Sequence, residues 1–165
     1  MIGVLAAAKA PELFAKFVMV GPSPRYINDT GYVGGFESAQ IDELMDFLGE
    51  NPMAWSQTMA PAIMGNPDRP ELGEELTASF CRADPAIAKI FAQATFTSDN
   101  RADLSKVSIP TLILQCSDDI IAPLVVGEYV RDQISGSSLI VLEATGHCPN
   151  LSAPAEVVAA IKTFV

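Results

Sequence analysis

The sequence is poor in the side chains on which most protein chemistry depends. It holds one histidine, His147, in 165 residues. Its three cysteines, Cys81, Cys116 and Cys148, show no C-x-x-C spacing. With one imidazole and no paired thiols there is no zinc site, and nothing implies another metal or a cofactor. The odd number of thiols suits free or buried cysteines in a reducing cytoplasm. Basic residues are also scarce: ten Lys and Arg stand against twenty Asp and Glu, a net charge of −10. That balance argues against nucleic-acid backbones and anionic membrane surfaces as partners. No apolar run approaches the ~18 residues of a membrane span. The apolar opening Met1-Ile-Gly-Val-Leu-Ala-Ala-Ala has no basic start and meets Lys9 at once, so it is not expected to be a secretory leader.

What is present is apolar. Hydrophobic residues make up 49% of the chain, enough for one domain that buries roughly 70% of its unfolded surface. Met1 to Lys9 reads as a helix without an N-cap. Phe17-Val-Met-Val20, ended by Gly21-Pro22, reads as a strand buried on both faces of a parallel sheet. Residues 25–35 are turn-forming. Helical periodicity then begins with Phe36, Ile41, Leu44, Met45 and Leu48. A second helix is expected over Pro52–Met64 and a third over Glu71–Cys81, with Asn66-Pro-Asp-Arg-Pro70 as the breaker between them. A fourth follows Asp84-Pro85, an N-cap and first-turn pair. These four helices form an inserted subdomain, approximately residues 25–100, between the first and second strands.

After a connector over 101–110, the last third reads strand, acid, helix, strand, histidine, helix. Thr111–Cys116 is the second strand and Leu139–Leu142 the third. Asp118-Asp119 and Gly146-His147 follow them, the intervening helix is closed by Gly136, and the terminal helix runs from Pro154 to Val165. Crossovers in a parallel sheet return successive strand ends to one edge. The acid loop and the histidine loop should therefore lie side by side. An acid that accepts from the imidazole Nδ1–H fixes the tautomer and leaves Nε2 to take a proton. Neither residue alone says much: a lone loop histidine is often a packing residue, and a strand-end aspartate often caps the next helix. Cys148 adjoins His147, but an incidental thiol is the simpler reading, since neighbouring loop residues point apart.

Pro110-Thr-Leu-Ile-Leu-Gln-Cys-Ser-Asp-Asp119-Ile-Ile-Ala-Pro123 and Gly146-His147-Cys-Pro-Asn-Leu-Ser resemble the acid and histidine loops of α/β-hydrolases. Val18-Met-Val-Gly-Pro-Ser-Pro24, Asn66-Pro-Asp-Arg-Pro70 and Ser98-Asp-Asn-Arg-Ala-Asp-Leu-Ser-Lys106 narrow the likeness to the RsbQ-like group. Those bacterial regulators act in energy-stress control of an alternative sigma factor and are relatives of the strigolactone and karrikin receptors. The resemblance covers essentially the whole chain. It implies that Asp119, four residues before Pro123, is the triad acid and His147 the base. It implies that the four helices are a lid over a small apolar ligand. Phe36, Trp55, Phe80, Phe91 and Phe96 are then candidate ligand contacts, although each could equally pack helix on helix.

One departure stands out. The G-x-S-x-G elbow of the family, which presents the nucleophilic serine on a strand–turn–helix, does not occur in these residues. Matched to the family, Met1 falls a few residues into the helix after that serine. Five strands, the serine and the oxyanion-hole amides would then lie upstream. Three functions remain open on these grounds. The chain is the C-terminal portion of a serine hydrolase, inactive alone. Or it is a non-catalytic ligand-sensing module that regulates a partner such as a phosphatase. Or it is a truncated chain held together by pairing with a second copy of itself. The expected fold class is α/β: a partial hydrolase fold with a three-stranded parallel sheet.

Overall fold

The computed structural model describes all of residues 1–165. Its sheet has three parallel strands in the order β1 (Phe17–Val20), β2 (Thr111–Asp118), β3 (Ser138–Thr145). Phe17 faces Thr111 across the first pair and Leu112 faces Ser138 across the second. Helix α1 (Ile2–Lys9) precedes β1. Helices α2 (Ser38–Glu50), α3 (Pro52–Met64), α4 (Pro70–Cys81), α5 (Pro85–Thr97) and the single turn α6 (Arg101–Leu104) separate β1 from β2. Helix α7 (Leu124–Gln133) joins β2 to β3, and α8 (Pro149–Ser152) and α9 (Pro154–Phe164) close the chain.

The central strand has a continuous apolar run because both of its faces are covered. Residues Thr111 to Cys116 are all buried. On one face Ile113 packs with Val4 and Ala7 of α1, Met19 of β1, and Val130 and Ile134 from α7 and its end. On the other, Leu112, Leu114 and Cys116 pack with Leu142 of β3 and Val157 of α9. The outer strands differ from the double burial expected of β1. Only Met19 of β1 is buried, and Val20 is 40% exposed. The reason is position: β1 and β3 each have a strand neighbour on one side only. Ile140 and Val141 of β3 are likewise partly exposed.

The helix starts follow capping chemistry. The Asn51 side chain accepts from the Ala54 amide at 3.0 Å ahead of Pro52, and Asp84 accepts from the Ala86 and Ile87 amides ahead of Pro85. Helix α2 starts later than its apolar periodicity suggests. Glu37 and Gln40 form a reciprocal capping box, so Phe36 lies before the helix and forms a β-bridge with Ile27. Helix α7 ends three residues short of Gly136, because Ile134 is already extended. Gly136 instead takes the left-handed turn beyond it, at φ +73°.

The four helices α2–α5 have a small core of their own, centred on Leu48, Trp55 and Ala92. The 25–35 segment is tied to the start of α6 by ion pairs. Arg101 bonds Asp99 at 2.7 Å and Asp29 at 2.8 Å, Arg25 reaches Asp99 at 3.2 Å, and the Arg101 guanidinium lies 4.9 Å from the Tyr32 ring centre. Hydrogen bonding from Arg101 holds the Asp99 carboxyl down at about 2.

Candidate active site

Strands β2 and β3 end together, with Asp118 opposite Thr145. The Gly146 N–H donates to the Asp118 carbonyl at 2.7 Å and locks the two exits side by side. The chain turns inward after the exposed Asp118, and the Asp119 side chain is fully buried. Its Oδ1 accepts the amides of Ile121 at 2.8 Å and Ala122 at 3.1 Å. Its Oδ2 lies 2.7 Å from His147 Nδ1. The loop thus satisfies one carboxylate oxygen with its own backbone and presents the other to the imidazole. A neutral ring carries its proton on Nδ1 in this arrangement, so Nε2 is the basic nitrogen. An imidazole so held can accept a proton at Nε2 and be stabilised as imidazolium by the carboxylate beneath it.

Two glycines make room for this pair. Gly21, at φ +54°, passes the imidazole so closely that a Cβ would sit 3.2 Å from His147 Cε1. Gly146, at φ +89°, lies under the end of α3, where a Cβ would come within 1.9 Å of the Met64 carbonyl oxygen. Only glycine fits there, in conformation and in space.

The five aromatic candidates do not share one cavity. Trp55, Phe80 and Phe91 line a largely apolar recess of about 630 Å³ among α2–α5, and the Trp55 and Phe80 ring centres are 5.5 Å apart. Phe36 and Phe96 lie outside that lining, although Phe96 packs against the Leu48, Trp55 and Ala92 core. They meet edge to face at 6.3 Å, and Phe96 contacts Tyr26 at 5.0 Å. That group adjoins the acid loop: Gly35 packs against Pro123, and the Tyr26 hydroxyl is pushed up to about 12 by burial and then by the Asp119 charge. Cys148 is half-buried. Burial and the Asp119 charge raise its thiol, which keeps it protonated and a poor nucleophile.

Sequence reasoning overlooked the residues that tie the histidine loop to the helices. The His147 N–H donates to the Ile63 carbonyl at 2.8 Å. Asn66 Nδ2 donates to the carbonyls of Met64 at 2.6 Å and Thr145 at 2.9 Å. Arg69 donates to the Ser152 carbonyl at 2.8 Å and to Asn66 Oδ1. The only signal was the Asn66-Pro-Asp-Arg-Pro70 run, which announces a helix break but not its partners. Gln115 was also missed. Buried in β2, its amide donates to the Ala122 carbonyl beneath the acid loop.

Residues 2–160 match the family model described as the alpha/beta hydrolase family. The chain belongs to the alpha/beta hydrolase family. It is similar to a rice protein, from Oryza sativa subsp. japonica, named as a probable esterase. The two are 38% identical over 155 residues, which is 93% of this chain and 57% of the relative. It is 39% identical over 155 residues to the karrikin insensitive 2 receptor CA of Petunia hybrida, with the same shares covered. A solved hydrolase from Oleispira antarctica superposes at a TM-score of 0.95 and 36% identity, over 99% of this chain and 60% of that one. The chain therefore spans somewhat more than half the length of these relatives. Among known alpha/beta hydrolases its likeness is to esterase-type members.

Proposed function

We propose that this chain supplies the acid and the histidine of an RsbQ-like serine esterase, with Asp119 orienting His147. The observation that carries the reading is the 2.7 Å contact between His147 Nδ1 and a carboxylate with no exposed surface. The reaction is acyl transfer. His147 Nε2 takes the proton of a serine hydroxyl as that oxygen bonds to the substrate carbonyl carbon. The imidazolium then returns the proton to the departing alkoxide, and water releases the acyl group by the same two steps. The serine and the oxyanion-hole donors come from a segment outside these residues. The substrate is a small apolar ester or lactone, and helices α2–α5 act as its lid.

The test has two parts. The 165-residue chain alone should not hydrolyse small aryl esters. The same chain joined to the N-terminal portion of the Oleispira antarctica hydrolase should do so, and His147→Ala in that chimera should remove at least a thousandfold of the rate. A folded chimera whose turnover survives His147→Ala sinks the proposal. Turnover by the 165-residue chain alone, lost on His147→Ala, would remove the need for an outside serine.

A second reading, ligand sensing with a protein partner such as a phosphatase, is favoured by helix α5. There Ile87, Ile90 and Phe91 are 67, 70 and 64% exposed. Charged substitutions at these positions that leave the chimera's turnover intact but abolish phosphatase binding would favour it.

A further inference from the structure

We propose that Asn66 and Arg69 are positioning residues for His147, forming a latch through which the end of helix α3 holds the imidazole over Asp119. The proposal rests on the reading of His147 as a base. Any helix leaves its last carbonyls without partners inside the helix. At the end of α3 the Gly65 N–H donates to the Pro61 carbonyl, and two further carbonyls find partners in the site. The Ile63 carbonyl accepts the His147 N–H at 2.8 Å, and the Met64 carbonyl accepts Asn66 Nδ2 at 2.6 Å. The same Asn66 amide group reaches the Thr145 carbonyl, two residues before the histidine, at 2.9 Å. One side chain therefore bonds both the helix and the strand exit.

Arg69 completes the arrangement. It donates to Asn66 Oδ1, which fixes the orientation of that amide, and to the Ser152 carbonyl at 2.8 Å beyond the histidine. The loop from Thr145 to Ser152 is thus held at both ends by two side chains from one turn. Gly65, left-handed at φ +65°, turns the chain so that both can reach. A Cβ on Gly65 would lie 3.2 Å from Gly146 Cα. Neither Asn66 nor Arg69 touches the imidazole, so their effect passes through backbone.

The single histidine makes this testable by histidine-selective ¹⁵N labelling of the 165-residue chain, because one imidazole and one histidine amide give all the signals. In Asn66→Ala and Arg69→Ala the His147 amide should exchange with solvent at least tenfold faster. The Nδ1–H resonance should broaden, while in a uniformly ¹⁵N-labelled sample the β2 amides of Ile113 and Leu114 keep their protection. Arg69→Lys, which replaces the two-nitrogen guanidinium fork by a single ammonium nitrogen, should fall between. Unchanged His147 signals in Asn66→Ala and Arg69→Ala would overturn the latch. So would loss of β2 protection in step with His147, since that is ordinary destabilisation; if Asn66→Ala unfolds, the Arg69 variants decide. Asp119→Asn separates the two layers. If it leaves the Nδ1–H resonance unmoved, the acid–base reading fails, whereas the His147 amide still reports on the latch.

Discussion

The two strand-end loops and the four helices above them are built to different tolerances. Every polar atom of the Asp119 side chain has a partner, and the histidine loop is bonded to β2 and α3 together. The helical section has a cluster of three buried apolar residues, Leu48, Trp55 and Ala92, an apolar recess, and a row of exposed side chains on α5. One buried side-chain polar atom is without a partner in each region, the Trp55 indole N–H among the helices and Gln115 Oε1 beneath the acid loop. The contrast follows from what each region must specify. A proton acceptor is useful only in one orientation, which hydrogen bonds impose through their angles. A surface that meets apolar groups needs area and shape, which packing supplies without direction.

The largest expected effect tests the tighter region. Asp119→Ala strands two buried amides and an imidazole, and should cost about 4 kcal/mol in urea unfolding, at about 1–3 kcal/mol for each buried polar group left unpaired. Asp119→Asn keeps an acceptor for the amides and should cost distinctly less. Equal losses would mean that charge, not the number of acceptors, sets the loop.

Trp55→Ala should cost about 3 kcal/mol, as for other large-to-small core changes. Trp55→Phe should cost less than about 1.5 kcal/mol, since no hydrogen bond is given up. A larger loss with phenylalanine would show the helical section to be as directional as the loops.

Next come two of the six positive-φ glycines. Gly146→Ala should cost more than about 2 kcal/mol and shift the fluorescence of the lone Trp55 as α3 is displaced. Gly136→Ala, with open space around it, should cost only about 1 kcal/mol from backbone strain.

The acid limb of stability should be smaller, because Asp99 is partly exposed. Its carboxyl is lowered from 3.8 to about 2 in the folded chain. The stabilisation is therefore complete above the unfolded value and fades as pH falls from about 4 toward 2. Asp99→Asn should flatten the melting temperature across that window, and an unchanged slope would remove Asp99 from the account. Smallest of all, Ile90→Ser and Phe91→Ser should change stability by no more than about 0.5 kcal/mol.

The meeting of Asp119 and His147 was readable because strand ends in a parallel sheet share an edge and because the chain has one imidazole. The helix limits at Pro52 and Pro85 were readable because proline and its capping neighbour act locally. Phe36 was misplaced in α2 because apolar spacing continues smoothly past the residue where the capping box begins. The exposure of Val20 was hidden because burial depends on how many neighbours a strand has, not on its own composition. The latch was hidden for a similar reason. Asn66 and Thr145 are 79 residues apart, Arg69 and Ser152 are 83 apart, and a polar pair at such separation leaves no periodicity. That Phe36 and Phe96 lie outside the recess lined by Trp55, Phe80 and Phe91 is likewise a property of helix crossing, which spacing along one helix does not record.

The carbonyls at the end of α3 also limit how this molecule can be rebuilt. Helices α2, α4 and α5 meet the histidine loop through none of the bonds described, so their faces are open to resculpting or exchange with those of a relative. The last turn of α3 is different, because a transplanted helical section must bring two carbonyl oxygens to the place where the His147 and Asn66 amides await them. A graft that ends one residue early or late would carry the right walls and still leave the histidine adrift.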